Sequence, residues 1–150
     1  MSVTTEPAQE LLEQTRRSEH PHCTVCSQGG PCGLGLQFDL SDDGSVEGRF
    51  TGRETLQGYP GTLHGGISSL LLDGAMTNCL FAHGIVAVTG RMTVRFRHPV
   101  QVALPLEVRG YLVKSQGPLH TVRGEITQGG TVMATAEAKF MERPGTTPYG

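Results

Sequence analysis

The sequence predicts an α+β chain, with one antiparallel sheet wrapped around one long buried helix. Three observations carry this. A single stretch, Gly66 to about His83, has helical length and is apolar nearly all round, which suits a central helix and not a surface one. Two β-like segments precede it and four follow it, spaced as hairpins. At 150 residues, without internal repeats or low-complexity tracts, the chain has the size of one domain with one sizeable core.

The elements follow in order. Glu6 to Arg17 places Ala8, Leu11 and Leu12 on one face of a short N-terminal helix. Pro21 to Gly33, rich in Cys, Gly, Ser and Pro, reads as an irregular loop. Leu34, Leu36, Phe38 and Leu40 alternate as in a strand, Asp42-Asp43-Gly44 is a turn, and Ser45 to Thr51 is the returning strand. Leu56 to Leu63 is a turn-rich lead-in to the central helix, and Gly84 stops that helix. Ile85–Phe96, Leu106–Val113, His120–Thr127 and Thr131–Phe140 are the remaining strands. Turns at Ser115-Gln116-Gly117-Pro118 and Gln128-Gly129-Gly130 separate the last three. The expected organisation is a helical, polar lead-in over 1–22, the main domain over 23–142, and a flexible tail over 143–150.

Composition narrows the function classes. Hydrophobic residues make up 37% and charged residues 17%, which is globular and not disordered. A net charge of −2 with no Trp argues against a nucleic-acid partner. No apolar run reaches the roughly 20 residues that cross a bilayer, and the polar N-terminus lacks the apolar segment of a signal peptide. The expectation is a cytoplasmic protein without a membrane partner, whose four cysteines are mostly reduced thiols.

The most informative motif is His64-Gly65-Gly66, followed by Asp73 nine residues after the histidine. An acid inside an apolar run is costly unless it has a task or a partner. The Gly-Gly pair presents bare backbone N–H groups where a helix begins and partial positive charge collects. An oxyanion site and a carboxylate are two of the parts needed to cleave an acyl bond. On a helix, nine residues rise about 13.5 Å and turn about 900°, a net half turn. The two parts therefore point apart, and a site using both must take one from a neighbouring copy. A two-fold dimer does this twice. Ser69, Asp73 and Thr77 form a polar stripe at i, i+4 and i+8.

The order of elements, with Gly58-Tyr59-Pro60-Gly61, His64-Gly65-Gly66, Leu72-Asp73 and the stretch Val88 to Val100, resembles the hotdog-fold thioesterases, in particular their phenylacetate-degradation-type (PaaI-like) branch. The Cys-containing lead-in ending Gly33-Leu34-Gly35-Leu36 belongs to the same resemblance, which covers about residues 23–141. It implies hydrolysis of an acyl- or aryl-CoA thioester by a homodimer or a dimer of dimers, with no cofactor and no metal. It implies that Asp73 is the catalytic carboxylate and that the backbone N–H at Gly66 or Gly65 polarises the thioester carbonyl. Thr77 is placed as a partner of the substrate, the water or Asp73. Gln57, Ser69, Thr89, Gly90 and Arg91 are the candidate substrate-binding residues. Gln57 lies one position further from His64 than the amide found in many relatives.

Each assignment has a plainer rival. Asp73 could pair with an Arg in a subunit interface. His64 could be a general base, but a His at the edge of a Gly-rich turn more often fixes the helix start. Gly65 and Gly66 could serve only close packing. Arg91, Arg95 and Arg97 form either a solvated strand face or contacts to CoA phosphates. Cys23, Cys26 and Cys32, with His20 and His22 nearby, have spacing that can hold zinc, yet a second C-x2-C is missing, so plain loop thiols are preferred. Two rival functions stand beside hydrolysis: a non-catalytic acyl-CoA-binding hotdog protein, and a hotdog dehydratase, which ranks last.

Overall fold

The computed structural model describes residues 5–27 and 33–143, so Cys32 and the tail 144–150 lie outside the described residues. Helix α1 (Thr5–Glu19) is followed by strands β1 (Phe38–Leu40) and β2 (Val46–Thr51) and a short 3-10 turn (Glu54–Leu56). The central helix α2 (Gly65–Ala82) comes next. Strands β3 (Ala87–Phe96), β4 (Pro105–Gln116), β5 (Leu119–Gln128) and β6 (Thr131–Glu142) complete the chain. The strands form one antiparallel sheet in the order β1-β2-β4-β5-β6-β3, curled around α2. This is the hotdog arrangement expected from the sequence.

The core sits between α2 and the sheet. From Leu71 to Ala82 every residue of α2 is buried except Asp73, which is half-buried. Val46, Val108, Val122, Ile126 and Phe140 meet the helix from the strands and are fully covered. Gly110 on β4 permits the close approach. A Cβ there would lie 2.6 Å from the Ala75 carbonyl oxygen of α2. Intrinsic strand preference spans only about 1 kcal/mol, whereas this clash sets backbone against backbone, so overpacking decides. Gly110→Ala is expected to destabilise the fold by about 2 kcal/mol. The readout is a lower urea midpoint at constant slope; an unchanged midpoint would contradict this packing.

Strand ends are set by turn chemistry. Gly129 and Gly130 have φ of 59° and 78°, as a type I′ hairpin turn between β5 and β6 requires. The β4–β5 hairpin is tighter than expected, with strand pairing running to Gln116 and Leu119. Its end is tied down by the buried His120, which bonds Ser115 Oγ through Nδ1 (2.7 Å) and Glu142 Oε1 through Nε2 (3.1 Å).

One expected strand is shortened. Leu36 and Phe38 are buried, as their alternation predicts. The backbone before Phe38, however, bonds to the cysteine loop and not to the sheet: Leu34, Gly35 and Leu36 N–H donate to the carbonyls of Thr24, Ser27 and Val25 (2.7, 3.1 and 3.0 Å). Alternation reports burial of side chains and is silent on where backbone groups pair.

Helix α1 is part of the same body. Leu12 is buried in the core. The Gln9 amide donates to the Phe38 carbonyl (3.0 Å) and accepts from the Leu40 N–H (2.6 Å), satisfying the outer backbone of β1. At the other end of the sheet, β3 pairs only with β6, and the residues Val88, Thr89, Gly90 and Arg91 along it are exposed.

Candidate active site

The start of α2 is built by His64. Its Nδ1 accepts the Gly66 N–H (2.9 Å), and its carbonyl accepts from Ile67 and Ser68 (2.9 and 3.1 Å). His64 therefore acts as a side-chain cap. This leaves Gly65 as the first-turn N–H without a hydrogen-bond partner among the described residues. Of the two glycines named from the sequence, Gly66 has its N–H taken and Gly65 has its N–H free to meet an anion.

A groove of about 600 Å³ opens beside Gly65, lined by Tyr59, His64, Ser68, Phe96, Arg97 and His98 among others. A smaller one of about 330 Å³ lies on the Gly66 side and includes Gln57 and Ile67. The Gln57 side-chain oxygen accepts the Gly61 N–H (3.0 Å), so it closes the lead-in turn beside this groove. Ser69 donates to the Gly65 carbonyl one turn back (3.0 Å).

Asp73 breaks the buried wall of α2. Its Oδ1 accepts the Thr89 hydroxyl of β3 at 2.5 Å. Burial pushes its carboxyl above the ordinary range; the Thr89 hydrogen bond opposes this, Cys23 adds to it and His20 opposes it. Thr77 is buried and makes no hydrogen bond to Asp73, so the polar stripe delivers the acid while its partner comes from the sheet.

A bulge brings Thr89 to this position. Thr89 pairs with Phe140 and Arg91 with Lys139, leaving Gly90 as the extra residue. Phe140 faces the core and Lys139 the opposite side, so Thr89 and Arg91 lie on opposite faces. In a regular strand, residues two apart share a face. Without the bulge, Thr89 would point away from Asp73. A glycine inside a β-branched strand is the signal that could have announced this.

Arg91, Arg95 and Arg97 gather with Arg123 and Lys139 in a groove of about 690 Å³ on the outer face of the sheet, opposite Met92 and Val94, which pack on the core. No candidate catalytic residue lines that groove, so its size does not make it the reaction site. Arg97 alone of the three also lines the groove beside Gly65. The Ser115–His120–Glu142 chain has the residue types of a nucleophilic triad, but none of the three lines these grooves, and it serves as a tie between strands.

Residues 60–135 match the family model described as the thioesterase superfamily. That span holds both halves of the motif and the whole of α2. The chain belongs to the thioesterase superfamily. Among relatives of this thioesterase-superfamily chain is the acyl-coenzyme A thioesterase THEM4 of Bos taurus, 28% identical over 110 residues, covering 71% of this chain and 44% of the relative. The chain thus spans less than half the length of that curated relative. In three dimensions it is similar to a phenylacetic acid degradation-related protein of Ralstonia eutropha JMP134 (TM-score 0.72, 25% identity, covering 87% of this chain and 98% of that one). It is also similar to the E. coli PaaI protein of the phenylacetic acid degradation operon (TM-score 0.77, 17% identity, 93% and 98% covered), a likeness of fold.

Proposed function

We propose that this chain hydrolyses acyl-CoA thioesters at sites shared between two copies, each built from Gly65 of one copy and Asp73 of the other. The observation that carries the proposal is the course of β3 beside α2. Near its start Thr89 holds Asp73; at its end Phe96 lies 3.6 Å from where a Gly65 Cβ would be. The two half-sites thus face opposite ends of one open strand, at Thr89 and at Phe96. Antiparallel pairing of β3 with its copy about a two-fold axis sets the Thr89 end of one against the Phe96 end of the other.

In this arrangement the thioester oxygen lies on the free Gly65 N–H at the positive end of α2, which stabilises the tetrahedral oxyanion. Asp73 of the other copy deprotonates the attacking water; its half-buried position makes it more basic than an ordinary carboxylate. The CoA thiolate leaves without acid assistance. Arg97, at the junction of the Gly65 groove and the outer basic groove, is placed to take CoA phosphate. Acyl-CoA as the substrate class follows the activity named for the THEM4 relative. The Gly65 groove, lined by Tyr59, Phe96 and Val100, suits an apolar or aromatic acyl group.

A panel of acyl- and aryl-CoAs with thiol detection tests the activity; binding of CoA without thiol release would establish the non-catalytic rival. Subunit mixing tests the shared site. Asp73→Asn and Gly65→Pro chains, each inactive alone, regain about a quarter of the wild-type rate when re-associated at equal ratio, because half the dimers are mixed and each carries one intact site. No recovery after verified exchange would place the whole site within one chain.

A further inference from the structure

We propose that His20, Cys23 and Cys26 form a zinc site that pins the end of α1 and the following loop to α2, one helical residue from Asp73. The sequence alone favours plain thiols here; the fold brings His20, of the two nearby histidines, together with the cysteine pair. The ligating atoms of the three residues all lie within 4.8 Å of one another. A tetrahedral zinc with two thiolates and an imidazole needs them about 3.5–3.8 Å apart, so closing the site takes about 1 Å of side-chain movement. Neither cysteine is in a disulfide.

The surroundings are those of a ligand set. The Cys26 side chain, the His20 imidazole and the Cys26 and Val25 backbone N–H groups all favour the Cys23 thiolate against the cost of its burial, as the donors around thiolate ligands do. Two buried side-chain polar atoms lack a hydrogen-bond partner among the described residues, and both are here: His20 Nδ1 and Asn78 Oδ1. A buried polar atom without a partner is costly, and here two of them border the same three residues. Asn78, fully buried, bonds the Gly74 carbonyl (2.8 Å) and also reaches the Cys26 sulfur, a support outside the ligands themselves. Two thiolates and one imidazole suit zinc among divalent ions, whereas carboxylate-preferring magnesium and calcium are excluded by the donor set.

The loop is seated where it matters for the reaction site. Val25, between the two cysteines, packs on Gly74, where a Cβ would lie 2.6 Å from its Cγ1. Gly74 adjoins Asp73, so a metal-locked loop fixes the surface against which the carboxylate is half-buried.

The test uses the full chain. Protein loaded with zinc under reductant and then dialysed should hold about one zinc per chain by elemental analysis, and His20→Gln, Cys23→Ser and Cys26→Ser should each fall below about a tenth. Replacing zinc with cobalt should give a thiolate-to-cobalt charge-transfer band that Cys23→Ser abolishes. His20 is only half-buried, so its variant keeps the fold, checked by circular dichroism. Wild-type zinc below about a tenth of an equivalent overturns the proposal. So does a Cys23–Cys26 disulfide as the resting state, full zinc in the Cys26→Ser variant, or a cobalt adduct without the band.

Discussion

Asp73→Asn is expected to lower kcat by about 10³-fold while raising the melting temperature. The two effects share one cause. Burial raises the Asp73 carboxyl above its ordinary range, so the charged form is disfavoured in the folded chain. The sign follows from linkage: stability carried by the neutral acid is complete below the ordinary carboxylate pKa and is lost as pH rises through the higher folded value. At neutral pH the wild type therefore bears a cost that Asn does not, and Asn can still accept the Thr89 hydroxyl. Each kcal/mol recovered raises the melting point of a domain this size by about 2–4 °C. The variant should gain least below the ordinary carboxylate pKa and most above the raised one. Activity of the wild type should show the matching acid limb, rising with pH above the range of an exposed carboxylate, set by burial against the opposing Thr89 hydrogen bond. Thermal scans and kcat/KM across pH check both; wild-type turnover in the variant would remove Asp73 from the chemistry.

Gly65→Pro is expected to lower kcat by about 10²–10³-fold, and Gly65→Ala by far less. Proline is tolerated at the first position of a helix and removes only the N–H. The preceding His64, at φ −56° and ψ 133°, already has the extended backbone that a following proline demands. Alanine keeps the N–H, and its Cβ would make ordinary contact with Phe96 at 3.6 Å. The pair of variants therefore separates the donor from the space around it. Equal losses in both would show that crowding, and not the oxyanion donor, controls the rate. Gly66→Ala is the contrasting position: its Cβ would meet the His64 ring at 3.1 Å and disturb the cap.

The helix and its motif were legible because their signals are local. A uniformly apolar segment after a Gly-rich turn can only be buried, and the half-turn between His64 and Asp73 follows from helical pitch alone. The strands after α2 were legible because turn glycines bracket them. What the sequence left dark depends on pairing partners. Leu34 to Leu36 look like a strand, but their backbone partners lie in the cysteine loop. Thr89 reads as a substrate contact until the register shift at Gly90 turns it toward Asp73. His64 offers two equal nitrogens in sequence; only the fold assigns Nδ1 to Gly66, and with that the free donor moves to Gly65. Gly74, next to Asp73, is the seat for Val25, a contact between distant segments that no local pattern reports.

The Gln9 side chain bears on how many copies can assemble. A sheet with two open edges can add copies at both ends and grow without limit, the route to fibres. Here one edge is terminated from within the chain, by a single amide that mimics the next strand's donor and acceptor. If copies pair through β3 as proposed, edge-to-edge growth stops at two. Gln9→Ala would reopen that edge, and the consequence to look for is higher-order assembly with the pairwise contact left intact.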